Sequence, residues 1–353
     1  MKIHDAARRF AGRTVRKLKN LAWQMDVKCH PGTRKPEADR AVLFDTALGS
    51  LNMGDSIIRH YCALALEEIL ADRQVTCLPT HTLPTPEQLA ELGSAGIRIV
   101  CGTNLMTPHF EEFSNWKMPR HLRGYRDILT LGVGWGYYCE DISPVSRFVY
   151  RTILGKDGLH SVRDSYTEQK FREMGIANVV NTGCPTLWGL TPEHCAAIPR
   201  NKRNEVITTL TDYDRDPLRD LRMIRILQAH YDAVYVWIQG VEDQAYLDTL
   251  VQPGEVRVIP RDLDAYTAVL DSGRADYVGT RLHAGIHAMN RGVRSIILAV
   301  DNRAIEMGRD FHLPVIRRDE LEEKLENLIV ASWATEVRLP MAQIRAWKGQ
   351  FLG

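Results

Sequence analysis

Residues 279–288, Gly-Thr-Arg-Leu-His-Ala-Gly-Ile-His-Ala, put Arg281 and His283 just after a short apolar run, Ala275 to Val278, and at the head of a small-residue helix. In an open α/β sheet ligands settle at such a strand-to-helix junction, where backbone N–H groups and the positive helix end favour an anion. A fixed cation beside an imidazole suits proton transfer on an acidic substrate. The competing reading makes Arg281 a cap for backbone carbonyls and His283 a satisfied core histidine.

Three further junctions carry similar chemistry. In Gly49-Ser50-Leu51-Asn52-Met53-Gly54-Asp55 the glycines permit a tight turn, Asp55 sits at a helix N-terminus, and Asn52 and Gly54 are expected to meet substrate. Asp55 there is either a simple N-cap or a group that meets substrate. Ser161-Val162-Arg163-Asp164 sets an arginine at a strand end, whose plainer reading is a surface pair of little worth. Val300-Asp301-Asn302-Arg303 closes the next strand. Taken together, Arg163, Arg281, Arg303 and His283 at strand carboxyl ends form a cluster for a small, multiply charged anion, because the guanidinium fork matches carboxylate and phosphate oxygens. His283 and His287 are four residues apart, as zinc ligands can be. No acidic or cysteine partner lies in register, so no metal site is expected.

The elements that must position these groups follow a βαβ pattern. Short apolar runs (Ala41–Phe44, Val75–Leu78, Ile97–Val100, Ile128–Leu131, His160–Val162, Val179–Thr182) alternate with amphipathic stretches, and the fourth ends in the glycine-rich 132–136. Three prolines and Arg200-Asn201-Lys202-Arg203 mark residues 184–203 as a linker. A second series then starts at Glu205. The expectation is an α/β chain of two Rossmann-like domains facing a cleft: a basic segment 1–40, a first domain 41–190 on the acceptor side, a second 191–330 on the donor side and a helical tail 331–353 that returns to the first domain.

Composition bounds the rest. A chain of 353 residues with 44% hydrophobic and 25% charged residues is ordinary for a globular protein of two domains. The seven cysteines never fall as Cys-x-x-Cys, which speaks against a disulfide framework and for a reducing, cytoplasmic setting. No run of about 18 apolar residues suggests a membrane span. Residues 1–40 hold 11 Lys and Arg against 4 Asp and Glu, leaving 34 against 40 in the remainder. Phe10, Thr14, Leu18, Leu21 and Met25 recur at helical spacing in that segment. Residues 1–25 are therefore read either as a peripheral contact with anionic lipid or as a helix packed on the first domain. Beyond this segment the chain is net acidic, and nucleic acid is not an expected partner.

The combination of motifs resembles the polysaccharide pyruvyl transferase family. The resemblance runs from roughly residue 42 to 320 and rests on Asn52-Met53-Gly54-Asp55 and on Ser161-Val162-Arg163-Asp164 with its helix ending Met174-Gly175-Ile176. Thr182-Gly183-Cys184-Pro185 and Arg281-Leu282-His283 with Ala288-Met289-Asn290-Arg291-Gly292 complete it. It implies a fold similar to two-domain GT-B glycosyltransferases and transfer of the enolpyruvyl unit of phosphoenolpyruvate to sugar hydroxyls, without a cofactor. Arg163, Arg281 and His283 take the donor-binding positions by motif, with Arg303 where a lysine is common. Two further places depart from the family's pattern: Cys101-Gly102-Thr103-Asn104 replaces a Gly-Gly-Gly run, and Cys184 replaces an aspartate. The ordinary imidazole pKa of about 6.5 makes His283 the expected proton-transfer group at neutral pH, and Asp55 is expected to orient or deprotonate the sugar hydroxyl; the resemblance implies a sugar or lipid-linked oligosaccharide acceptor. The rival functions are a nucleotide-sugar glycosyltransferase, with Asp262 and Asp264 reading the nucleotide, and a non-catalytic glycan-binding relative.

Overall fold

The computed structural model describes residues 37–119, 122 and 124–352. The basic segment's proposed lipid contact, residues 1–25, lies outside them. In the first half, β1 (Glu37–Asp45), α1 (Met53–Leu70), β2 (Gln74–Pro79), α2 (Pro86–Ser94), β3 (Ala95–Met106), β4 (Leu129–Trp135), α3 (Pro144–Ile153), β5 (His160–Val162), α4 (Ser165–Glu173) and β6 (Val179–Asn181) alternate as the apolar pattern requires. Their strands form one parallel sheet in the order β2-β1-β3-β4-β5-β6. Helix starts follow local chemistry. Asn52 accepts from the Gly54 N–H at α1, Thr85 and Gln88 form a reciprocal capping box at α2, and Asp164 accepts from Thr167 at α4.

The chain crosses to the second half through residues 182–204, which include the short helix α5 (Pro192–Ala197). There follow β7 (Glu205–Thr208), α6 (Pro217–His230), β8 (Ala233–Trp237), α7 (Asp243–Leu247), β9 (Arg257–Ile259), α8 (Leu263–Asp271), β10 (Ala275–Gly279), α9 (Leu282–Asn290), β11 (Ser295–Ala299), α10 (Asn302–Phe311), β12 (Val315–Arg317), α11 (Leu321–Val330) and α12 (Met341–Gly349). The second sheet, also parallel, runs β12-β11-β10-β7-β8-β9. Renumbered from its own first strand, that is the order 3-2-1-4-5-6 of a dinucleotide-binding fold, with its crevice between β7 and β10. The first sheet reverses direction between β1 and β3. The expected α/β architecture of two Rossmann-like halves is what the chain adopts.

Helix α1 joins the two halves. Its Ile57 and Tyr61 pack in the core of the second sheet with Leu187, Tyr266 and Ile286, while Ile58, Cys62 and Leu66 pack against Ile99 and Leu131 of the first. The tail returns as expected: Trp347 of α12 is fully buried among Ile58, Leu66 and Leu131, and the Gln350 side chain accepts from the Leu159 N–H at 2.7 Å. The glycine-rich stretch corrects an expectation. Residues 132–135 continue strand β4 instead of ending it, with Val133 paired to Thr103 on one side and Val162 on the other. The six described cysteines are free thiols. No helix among the described residues is long and apolar enough to cross a membrane.

Candidate functional site

Both sheets end at the same place. The turn after β1 reaches the loop after β8: the Met53 N–H donates to the Gln239 carbonyl at 3.1 Å, and Gln239 Nε2 donates to Asn52 Oδ1 at 2.8 Å. Asn52 thus spends its side chain on a cap and on the opposite half. Gly54 is required by that contact, since a Cβ there would stand 2.9 Å from Gln239 Nε2. On the other flank, Asn302 Nδ2 donates to the Trp135 carbonyl at 3.3 Å, and Asp310 accepts from the Ser165 N–H at 2.6 Å and from Asn181 at 3.0 Å. Between the flanks lies a small cavity lined by Asn52, Tyr213, Gln239, Arg281, His283, Asp301 and Arg303 among others.

The arginines differ in what they still offer. Arg163 is completely buried; its Nε donates to Asp164 at 3.1 Å and its Nη1 to Asn104 Oδ1 at 2.7 Å. Its Nη2 has no partner. The guanidinium lies flat on Gly134, where any Cβ would overlap it, and this is why the glycines stay in the strand. Asn104 reaches it from an irregular end of β3, where Gly102 (φ +36°) and Thr103 (φ +69°) hold left-handed backbone and the register to β4 shifts. Arg281 lines the cavity and gives two of its three nitrogens to protein: Nε donates to the Leu210 carbonyl at 2.7 Å, and Nη2 meets Asp243 at 2.6 Å and Asp212 at 2.9 Å. It ties the loops after β7 and β8 to the head of α9. Arg303 is bonded to Asp301 and to the Tyr213 hydroxyl. Burial works to raise the Asp301 carboxyl, but Arg303 and Arg163 outweigh it and hold it down at about 2.

His283 opens α9, whose N-terminus has no side-chain cap. Burial, with Arg303 and Arg163 close by, pushes its imidazole down to about 3. The sequence-based expectation of an ordinary histidine near neutrality is corrected: His283 is uncharged at pH 7 in the ligand-free site. Its Nε2 lies 3.8 Å from Cys184 Sγ, the thiol that burial raises above its usual range. His287 is a packed histidine, with Tyr61 Oη 2.9 Å from Nδ1 and Thr267 Oγ1 3.0 Å from Nε2.

Asp55 is buried in the first turn of α1 and accepts from Ser50 Oγ at 2.5 Å. Its carboxylate stands 3.6 Å from His81 Nε2 and raises that imidazole, whose Nδ1 lies 3.3 Å from the Asn115 carbonyl. Sequence reasoning missed His81, Asn104, Tyr213, Asp212 and Asp243. The signal available was that His81, Asp212, Tyr213 and Asp243 lie in the stretches that follow β2, β7 and β8, and Asn104 near the end of β3. Asp262 is used as the N-cap of α8. Among the described residues, His109, Glu111 and Glu112 on the loop after β3 have ligand types that a cation could take, and none lines the cavity.

With this geometry in place, comparison with known proteins decides the family. The profile described as "Polysaccharide pyruvyl transferase" matches residues 52–302, which includes every residue discussed above from Asn52 to Asn302. The chain belongs to the polysaccharide pyruvyl transferase family. No curated protein matches it. Solved structures similar to this family member share its general size at low identity. The UDP-GlcNAc 2-epimerase from Methanocaldococcus jannaschii has a TM-score of 0.48 at 11% identity, covering 89% of this chain and 99% of that one. A UDP-glucosyltransferase from Polygonum tinctorium has a TM-score of 0.43 at 10% identity, covering 90% and 94%. The wall teichoic acid polymerase TagF has a TM-score of 0.41 at 12% identity, covering 98% and 92%.

Proposed function

We propose that this pyruvyl transferase-family chain moves the pyruvyl group of phosphoenolpyruvate onto hydroxyls of a polysaccharide or its lipid-linked precursor, closing a pyruvate ketal and releasing phosphate. Arg163 carries the reading. A wholly buried guanidinium with one donor unmet costs about 1–3 kcal/mol or more, a cost that bound anion would remove. A carboxylate or phosphate oxygen would satisfy that donor, and Arg303, which lines the cavity, and the uncapped head of α9 add positive potential.

Burial holds His283 neutral, and the charges of Arg303 and Arg163 add to it. A bound trianion offsets them and raises the imidazole, so donor binding takes up a proton. The imidazolium delivers that proton to the methylene carbon, leaving positive character at the central carbon. An acceptor hydroxyl adds there while Asp55, steadied by Ser50 and His81, receives its proton. The bond from the central carbon to the phosphate oxygen then breaks, and a second hydroxyl closes the ring. One hydroxyl proton replaces the one given to the methylene carbon and the other leaves with phosphate. Phosphoenolpyruvate and a diol therefore balance against ketal and phosphate, with no metal or organic cofactor in the sum. Arg163 and Arg303 stabilise the departing phosphate, while Arg281 holds the loops that frame the site.

The test is phosphate release from phosphoenolpyruvate as a function of added glycan, with the ketal methyl followed by NMR. The reading expects release that depends on the glycan and a new methyl signal on the sugar. Turnover of UDP-sugars with phosphoenolpyruvate ignored would overturn it in favour of glycosyl transfer.

A further inference from the structure

Tyr213 has a placement that packing alone does not need. It sits at the tip of the loop after β7, and the loop is fastened on both sides of it. Asp212 is held by Arg281, its N–H donates to Asp243 Oδ1 at 3.3 Å, and the Asp214 carbonyl accepts from Arg318 at 2.8 Å. The Tyr213 hydroxyl is bonded to Arg303 and donates to Asp301 Oδ2 at 3.4 Å. The Arg281 guanidinium carbon stands 5.1 Å from the ring centroid. Yet the residue is 57% exposed and lines the cavity that holds His283, Asp301 and Asn52. Isolated exposed apolar residues are common, but they seldom have a fixed polar end and a fixed loop. Here the hydroxyl is anchored inward, the Arg303 guanidinium carbon also stands 5.8 Å from the ring centroid, and the rest of the ring is left open at the rim of the site.

We infer that Tyr213 is the platform on which the acceptor stacks, so the acceptor is a pyranoside presenting an apolar C–H face. The inference rests on the transfer reaction proposed above. A pyranose ring has a face of C–H groups carrying partial positive charge, and the π-face of an aromatic ring is partially negative. A ring already immobilised loses no side-chain entropy when the sugar arrives. A pyranoside lying there has its edge hydroxyls facing the cavity side where Asn52 and Asp301 are, which is where a hydroxyl must go to reach the donor. A lipid chain or a peptide would gain nothing from a single rigid flat face; a nucleobase would, and the test separates it.

The experiment is saturation-transfer difference NMR on wild type, Tyr213→Phe and Tyr213→Ala, each with phosphoenolpyruvate present. The probes are methyl β-D-glucopyranoside, methyl β-D-galactopyranoside and methyl α-D-mannopyranoside, with uridine as competitor. We expect at least one pyranoside to bind wild type through the protons of one face, Tyr213→Phe to keep that binding, and Tyr213→Ala to weaken it about tenfold or more. No pyranoside binding to wild type, unchanged binding to Tyr213→Ala, or displacement of the sugar by uridine would each overturn the inference. A parallel melting series separates the two ideas. If phosphoenolpyruvate stabilises wild type but the sugar is indifferent to Tyr213, stacking fails and the reaction stands. If the sugar needs Tyr213 but phosphoenolpyruvate has no effect, the reaction fails and the platform stands.

Discussion

Arg163 and Gly134 are a matched pair, and each explains the other. The arginine can be wholly buried because a neighbouring strand offers bare backbone beneath its plane, Asp164 balances its charge and Asn104 takes one donor. Gly134→Ala should therefore displace the guanidinium without exposing the core. Its expected effect is a loss of about 100-fold or more in kcat/KM, comparable to removing one donor from a developing-charge site, with far-UV circular dichroism unchanged. An activity within about threefold of wild type would show that the guanidinium's seat does not matter. The sequence made Arg163 and His283 visible because both follow strands directly. It concealed the fate of Arg281, whose partners Asp212 and Asp243 lie 69 and 38 residues away and meet it only after the loops fold. It also concealed the state of His283, since burial and two distant cations set that value, and neither is a property of the local motif.

At the scale of elements, α9 succeeds as a site helix because it lies close on its sheet. Gly285 makes that approach possible: a Cβ there would stand 2.6 Å from Ile297 Cγ1 and 2.8 Å from the Tyr277 ring. Tyr277 in turn donates to the Arg281 carbonyl at 2.8 Å, so pushing the helix outward would move the Arg281–His283 turn as well. Gly285→Ala should destabilise the fold by about 1–3 kcal/mol, the usual cost of overfilling a packed core, read as a lower urea midpoint. An unchanged midpoint would show that the helix has slack to give. Small residues at 284, 285 and 288 gave the sequence its hint of a tightly seated helix. The glycines at 132–136 gave a misleading one, because glycine signals a turn and a close approach alike, and only the arginine above Gly134 tells which.

For the whole molecule, the alternation of strands and amphipathic stretches made both halves legible, including the helix that returns to the first. What the alternation could not convey was that α1 and α10 stitch the halves together, because those contacts join residues such as Tyr138 with Glu306 and Asn302 with Trp135 across the cleft. Burial across both halves has a further consequence. His160, His283 and His287 are pushed down to about 4, 3 and 4, chiefly by desolvation. Each binds fewer protons folded than unfolded, so the stability they permit is complete above about pH 6.5 and is lost as pH falls from there toward 3–4. Each should cost about 1.4 kcal/mol per pH unit within that window. His81, raised by Asp55, has the opposite sign: its contribution is complete below about pH 6.5 and is lost as pH rises through its folded value, so it does not alter the fall on the acid side. Urea midpoints at pH 7, 5.5 and 4.5 should fall steadily; a flat series would mean these imidazoles are hydrated.

Calorimetric titration of phosphoenolpyruvate tests the central claim most directly, run at pH 7.5 in two buffers of different ionisation enthalpy. The account predicts binding to wild type with uptake of about one proton, as the anion restores charge to His283, and no binding to Arg163→Met. Binding that survives Arg163→Met, or no binding of phosphoenolpyruvate to wild type at all, would contradict it.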